Sequence, residues 1–234
     1  KNTGTKERLV KMLETKMSAA KSTLKENVYK DLFLAVTARG GYNTIVGLAA
    51  ICGSTNTYAN INRSTAGNEG WQSNYDATAR TDAEMSDPTQ GTKYLPTHMR
   101  TQLKNCAHDG MPNIILTTPA LYQIYEFIGE THNLRFGGPS VNLGFTKAEL
   151  DSQTTKMQSQ TTAIYWDKYC TAKSMFFLNT DTFKAFVFPG SNFEPADVLG
   201  TGIWMRGVGQ LAAYMTIIWM GQILCLVPRE NGVS

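Results

Sequence analysis

A long apolar run near the end of the chain restricts the possible folds more than any other feature. It spans residues 210–227 and is closed by Pro228. A helix that crosses a bilayer needs roughly 20 apolar residues, whereas this run is slightly shorter and includes Gln210, Thr216 and Gln222. Its many β-branched and aromatic residues are typical of a strand. We therefore predict a terminal strand and no membrane partner.

Composition and charge describe a folded chain without a general preference for nucleic acid. Hydrophobic residues make up 42% of the 234 positions, and the formal net charge is +3. A chain of this length can bury a core in one or two domains, and so small a net charge gives no global attraction to DNA. The charge is uneven, however, because the first 30 residues hold eight basic and three acidic side chains.

Four widely spaced cysteines indicate a reducing compartment. Each lies in or beside an apolar segment and none belongs to a Cys-x-x-Cys pair, so we expect buried free thiols. The four are Cys52, Cys106, Cys170 and Cys225. The start of the sequence is polar and basic, without an initiator Met or a signal peptide, and we expect a processed or partial chain.

Residues 6–34 are predicted to form one long amphipathic helix. Apolar residues recur there at steps of three and four, which places them on one narrow stripe. The stripe consists of Leu9, Leu13, Met17, Ala20, Leu24, Val28 and Leu32. Such a helix needs a surface to lie on, either a sheet of its own chain or a neighbouring subunit. Its lysines can contact phosphate without sequence preference, although interleaved glutamates make a solvated face the simpler interpretation.

The next segment, at 54–87, is polar and rich in Ser, Thr, Asn and Gly. That composition predicts an extended loop or ribbon. Its isolated apolar anchors are Tyr58, Ile61, Trp71 and Tyr75. We expect each anchor to pack against either the core or another subunit.

The middle of the chain alternates helices and strands, which predicts an α+β fold. Helices are predicted at 94–108 and 119–128, and strands at 112–116, 141–145 and 164–167. Two further strands, 175–178 and 183–188, are separated by a turn at 179–181 and are expected to form a hairpin. The glycine-rich residues 189–209 are interpreted as turns.

The sequence contains no recognisable catalytic or metal-binding motif. There is no phosphate-binding loop, nucleophile elbow or dinucleotide fingerprint, and the glycines at 200–209 are interpreted as a surface loop. The three histidines are too scattered to form a close metal pair; they are His98, His108 and His132. An acidic group is interpreted as a solvated turn rather than a cation site; it comprises Asp82, Glu84 and Asp87.

We therefore predict no enzymatic activity, no cofactor and no metal. One alternative of a different class stays open at this stage. A small hydrolase could use Cys106 or Cys170 as its nucleophile together with one of the histidines. Such a protein would stay monomeric or dimeric and would react stoichiometrically with a thiol probe.

The order and spacing of the segments resemble the major capsid protein of tailed double-stranded DNA bacteriophages, which has the Hong-Kong-97-type fold. The segments that carry the resemblance are the basic helix at 6–34, Gly47-Leu48, the series Tyr58, Ile61, Arg63 and Trp71, and then 95–106, 112–122, 175–181 and 218–223 with Pro228-Arg229. Together these segments cover nearly the whole chain.

The resemblance implies a long spine helix, a peripheral β-sheet domain and a central α+β axial domain. Residues 1–91 would supply the spine helix and ribbon of the peripheral domain, 92–209 the axial domain, and 210–234 a strand that returns to the peripheral domain. Members of this family usually carry an amino-terminal arm and an extended loop before the spine helix. We expect both to be cleaved or to lie outside this sequence.

The function implied is self-assembly, as hexamers and pentamers, into an icosahedral shell that encloses a double-stranded DNA genome. The implied partners are a scaffolding protein, a portal and the packaged DNA, with assembly in the host bacterial cytoplasm and a final place in the virion capsid. Expected subunit contacts are Tyr58, Trp71, Trp204 and Arg206, and the residues expected to face DNA are Lys21 and Lys25. An encapsulin-like compartment or a contractile or gene-transfer particle is the nearest alternative.

Overall fold

The computed structural model describes residues 3–34, 45–54, 57–131, 162–196, 205–206 and 213–234. The predicted strand at 141–145, His132, Trp204 and the glycines at 200–209 lie outside these ranges. The helices are α1 (Thr3–Phe33), α2 (Leu48–Ile51), α3 (Asp82–Ser86), α4 (Leu95–Cys106) and α5 (Pro119–Thr131). The strands are β1 (Thr57–Tyr58), β2 (Ile61–Asn62), β3 (Asn74–Tyr75), β4 (Ile114–Thr117), β5 (Ala163–Trp166), β6 (Met175–Leu178), β7 (Phe183–Ala196), β8 (Met205–Arg206), β9 (Ala213–Tyr214), β10 (Thr216–Cys225) and β11 (Gly232–Val233).

This mixture of helices and strands confirms the α+β prediction. The long first helix, the helices at α4 and α5, and the strands at β4, β5 and β6 lie where the sequence predicted them. The described part of the terminal apolar run is extended, as predicted, in β9 and β10. Within the described ranges, none of the helices is both long and apolar enough to cross a lipid bilayer.

The chain divides into two compact units. Among described residues, the helix unit contains 3–32, 45–46 and the described parts of 185–224, and the sheet unit contains 33–34, 47–54, 57–131, 162–184 and 225–234. These boundaries differ from those of the three predicted segments, because the chain enters and leaves the sheet unit more than once. The three segments stay predictions for an assembled subunit.

The sheet unit is built on a five-stranded sheet in the order β3-β11-β6-β4-β5. All strands run in the same direction except β6, which is antiparallel to both of its neighbours. Every side chain of β6 is buried, as expected for a central strand that is covered on both faces. A single core joins this strand to the helices; its members include Met99, Leu103, Ile115, Tyr125 and Phe177.

Local chemistry explains where the helices of the sheet unit begin. Thr81 accepts a hydrogen bond from the Glu84 amide (3.3 Å), and the Glu84 carboxylate accepts one from the Thr81 amide (2.9 Å). This reciprocal arrangement is a capping box at the start of α3. Asp87 likewise accepts from the Thr89 amide at 2.9 Å. Glu84 therefore orders the start of α3, and Asp87 orders the start of the 3-10 helix Pro88–Lys93.

The helix unit contains α1 and the pair of strands β7 and β10. Gly221 in β10 permits the close approach of these strands, because a Cβ placed there would lie 2.9 Å from the Phe186 carbonyl oxygen and 2.7 Å from the Trp219 ring. Within the described ranges this sheet has two strands, an arrangement that is marginally stable by itself in water.

Two predictions about β7 are wrong. β6 and β7 do not form a hairpin, because β6 pairs with β4 and β11 while β7 pairs with β10. The chain between them is a short 3-10 helix in which Asn179 accepts from the Asp181 amide. Residues 189–196 are also extended rather than turn-like. Pro189 is compatible with this strand because proline is tolerated at a sheet edge.

Candidate assembly surfaces

Between residues 11 and 20, most of the apolar stripe of α1 is exposed. The helix has 31 residues and is therefore about 46 Å long. From residue 11 to residue 20 every side chain except that of Met17 is exposed. Leu13 and Ala20 of the predicted stripe are among them, whereas Leu24, Val28 and Leu32 are half-buried. The stripe thus gains protection only toward the end of the helix.

An apolar groove continues this stripe within the helix unit. One wall is formed by Leu24 and Val28 of α1, and the other by Phe188 and β10. A cation–π contact links α1 to the strands, through a ring of β7 that stacks on β10. The Phe193 ring lies 6.0 Å from the Trp219 ring, centroid to centroid, and the Lys25 ammonium lies 5.5 Å from the centre of the Phe193 ring.

The strand β7 exposes apolar side chains on both of its faces. Seven consecutive residues, 184–190, are exposed, including Phe186 at 56% and Phe188 at 64%. Successive side chains of a strand point to opposite faces, so this stretch has no buried face. Long apolar edge strands of this kind pair readily with other chains.

Exposed aromatic residues also lie at both edges of the sheet unit. The edge strand β5 carries Tyr165 at 55% and Trp166 at 56% exposure, and the opposite edge strand β3 carries Tyr75 at 53%. Tyrosine and tryptophan are the residue types most often found in the energetically dominant parts of interfaces. These edges are therefore candidate contacts with other chains.

The residues predicted from the sequence as contacts lie in different environments. Tyr58 is buried, and its hydroxyl accepts from the Cys225 amide at 2.7 Å; its ring lies 4.8 Å from the Arg63 guanidinium. Trp71 is half-buried in a 3-10 helix. Arg206 contributes backbone to β8, and its side chain lies outside the described part. Subunit contacts through these residues stay predictions.

The two predicted DNA-facing lysines both lie on α1. Lys21 is half-buried and Lys25 is exposed. The Lys25 ammonium near the Phe193 ring is one attractive contact within the unit. Contact of either lysine with DNA stays a prediction.

A buried polar network, which sequence reasoning missed, fixes the last residues to the sheet unit. Asn231 is fully buried; its side-chain oxygen accepts from the Asn179 amide (2.8 Å), and its nitrogen donates to Thr182 (3.1 Å) and to the Val227 carbonyl (3.0 Å). The buried Glu230 carboxylate accepts from Asn179 (2.8 Å). The sequence gave no sign of these partners, because Asn179 and Asn231 lie 52 positions apart along the chain.

A second polar cluster lies beside α4. Asp76 accepts hydrogen bonds from Arg80 (2.6 Å) and Gln102 (3.3 Å), and the His98 ring nitrogen Nδ1 lies 3.6 Å from the same carboxylate. Burial lowers the pKa of His98 to about 4, with a further contribution from Arg80 that outweighs Asp76. Burial acts to raise the pKa of Asp76, but hydrogen bonds from Thr78 and Arg80 prevail and lower it.

The cysteines are poorly suited to nucleophilic catalysis. All four are buried free thiols, as predicted. Burial raises the pKa of both Cys106 and Cys170 to about 12, and a nucleophilic cysteine requires the thiolate. The described residues also contain no group of three or more His, Cys, Asp or Glu side chains placed to hold a metal ion.

Comparison with solved structures found a coarse likeness of fold. No protein family model matches the sequence, and no curated protein matches it. Among solved structures, a chain of the cyanophage A-1(L) capsid asymmetric unit is similar, with a TM-score of 0.47 and 18% sequence identity. The alignment covers 94% of this chain and 68% of that chain. A likeness at this TM-score and identity does not establish a shared function.

Proposed function

We propose that this chain is a structural shell subunit, the major capsid protein of a tailed double-stranded DNA phage. The observation that carries the proposal is the helix unit, which leaves a helical stripe and a long apolar strand exposed among the described residues. In water, roughly 25 cal/mol is gained for each Å² of apolar surface that is buried. A neighbouring subunit would supply that burial.

The order of segments along the sequence supports the same proposal. A long basic helix, a polar ribbon, an α+β segment and a returning strand follow one another as in Hong-Kong-97-type capsid proteins. On this proposal the subunits form hexamers and pentamers, Lys21 and Lys25 face the packaged DNA, and a scaffolding protein and a portal take part in assembly. Catalysis has no part in the proposed role, and the raised cysteine pKa values disfavour the hydrolase alternative.

Sedimentation velocity and electron microscopy of the purified protein test the proposal. We expect closed shells, or rings of five and six subunits. A single small species under all assembly conditions would contradict it. The DNA content of nuclease-treated particles then separates a genome container from an encapsulin-like compartment, which would hold protein cargo instead.

A further inference from the structure

The two edges of the five-stranded sheet are complementary in direction. β3 runs parallel to β11, β11 and β4 each run antiparallel to β6, and β4 runs parallel to β5. The edge strands β3 and β5 therefore run in the same direction. A second copy placed beside β5 in the same orientation would present its β3 as a parallel strand.

The backbone hydrogen-bonding groups at these edges also match. The backbone amides of Ala163 in β5 and of Asp167, the residue just after this strand, donate inward. Their acceptors are the carbonyl oxygens of Asn113 and Thr117, each at 3.0 Å. Backbone groups alternate in direction along a strand, so those of Ile164 and Trp166 point outward, where no described strand lies beyond β5.

At the other edge, the amides of Asn74 and Asp76 donate inward to β11, each at 3.0 Å. The backbone groups of Tyr75 between them therefore point outward. A parallel ladder joins one residue of a strand to two residues of its neighbour that are two positions apart. One outward residue on β3 and two on β5 satisfy this requirement.

We propose that the sheet continues from one copy of this chain to the next, with β3 of the neighbouring copy adding to β5. In this register the Tyr75 amide donates to the Ile164 carbonyl, and the Trp166 amide donates to the Tyr75 carbonyl. Tyr75 then lies opposite Tyr165 on the same face. This pairing brings together two side chains, Tyr75 and Tyr165, that are each more than half exposed in the single subunit, and aromatic cross-strand pairs stabilise sheets.

The composition of the edge agrees with a paired role. β5 has the sequence Ala-Ile-Tyr-Trp, without the charge or proline that protects the edges of monomeric proteins. Because the two edges differ, the contact is head-to-tail, and such contacts generate rings when the rotation closes. The inference thus rests on the proposed shell function and specifies one contact within its rings.

Cysteine cross-linking tests the contact. Tyr75→Cys and Tyr165→Cys variants are assembled separately and as a mixture, oxidised mildly and separated on a non-reducing denaturing gel. We expect covalent dimers from the mixture and none from either variant alone, while the double variant gives a ladder of multimers. The native cysteines are buried, so the unmodified chain serves as a blank. Asn105→Cys, at an exposed position of α4, replaces Tyr165→Cys in a control mixture that should give no covalent dimers.

The outcomes separate this inference from the shell proposal. Closed shells without dimers in the mixed sample would overturn the sheet contact and leave the shell function intact. Dimers from one variant alone would overturn the head-to-tail arrangement, because they require a contact between identical edges. If no shells, rings or dimers form, both proposals fail.

Discussion

The sheet unit buries the phenylalanines of its central strand β6, whereas the helix unit exposes those of β7. Phe176 and Phe177 in β6 are almost inaccessible to solvent, while Phe186 and Phe188 in β7 are more than half exposed. Both strands carry phenylalanines, so residue type alone does not explain the difference. The number of paired strands explains it, because among the described strands β6 pairs with two others and β7 pairs with one. On the proposed function, the helix unit is the part that a neighbouring subunit would complete.

The largest difference between the units is expected from truncation of matched phenylalanines. Phe177→Ala should lower the free energy of unfolding by about 3–5 kcal/mol, because it leaves a cavity in a packed core. Phe188→Ala should change it by less than about 0.5 kcal/mol, since that ring is mostly solvated. Urea unfolding of the dissociated subunit measures both. Equal losses would show that β7 is part of the same core.

The stability of the sheet unit is expected to depend on pH because of the buried His98. Its pKa is about 4 in the folded chain and 6.5 in the reference state, so the unfolded chain binds more protons between these values. The contribution of neutral His98 to stability is therefore fully present above pH 6.5. It falls by about 3 kcal/mol as the pH drops toward 4. The lowered pKa of Asp76 adds its own loss only below its reference value of 3.8.

Urea midpoints between pH 4 and 7 measure this dependence. His98→Gln should make the urea midpoint nearly independent of pH in this range. His108→Gln, at an exposed position of the same unit, should keep the pH dependence. An unchanged pH slope in His98→Gln would assign the loss of stability to other groups.

A smaller effect is expected from Gly232→Ala, which tests how tightly β11 packs. A Cβ at this position would lie 2.7 Å from the Asn74 carbonyl oxygen and 2.8 Å from the Cys106 sulfur. Overpacking of this kind costs about 1–3 kcal/mol. Gly70→Ala is the control, because no heavy atom lies within 4 Å of its Cβ position. Thermal unfolding should separate the two variants, and similar melting temperatures would mean that β11 moves freely aside.

The smallest effect on the subunit is expected from Phe188→Lys. An exposed substitution should alter the free energy of unfolding by no more than about 0.5 kcal/mol. The yield of shells or rings should nevertheless fall strongly, since a charge would enter the apolar surface that pairs with a neighbour. Asn105→Lys places the same charge on an exposed position of α4 and should leave the yield unchanged. Normal assembly of Phe188→Lys would exclude β7 from the contact.

Local periodicity was sufficient to predict most of the longer elements of this fold but not their pairing. The stripe through Leu24 and Val28 predicted α1, and the run at 175–178 predicted β6, because both signals lie within a few residues. The hairpin prediction failed since the short connection at 179–182 suggested adjacent strands. The actual partners of β6 lie near residues 114–117 and 232–233, and pairing over such separations leaves no local signal.

The sequence predicted that aromatic residues would form contact surfaces, but it did not predict which of them are exposed. Tyr58 and Trp71 were chosen because aromatic residues stand out in a polar segment. The structure buries Tyr58 and leaves Phe186, Phe188 and Trp166 exposed. Which aromatic residue faces solvent depends on how many strands cover it, and that number is a property of the complete sheet. The spacing of aromatic residues along the chain does not indicate how many strands will cover each of them.

Hydrogen–deuterium exchange of the dissociated subunit and of the assembled particle compares the two units most directly. Backbone amides gain protection when surrounding groups exclude water and stabilise their hydrogen bonds. We predict a large gain on assembly at residues 11–20 of α1 and 184–190 of β7, with β4, β6 and β11 protected equally in both states. Exchange at those α1 and β7 residues that is unchanged by assembly would contradict the account.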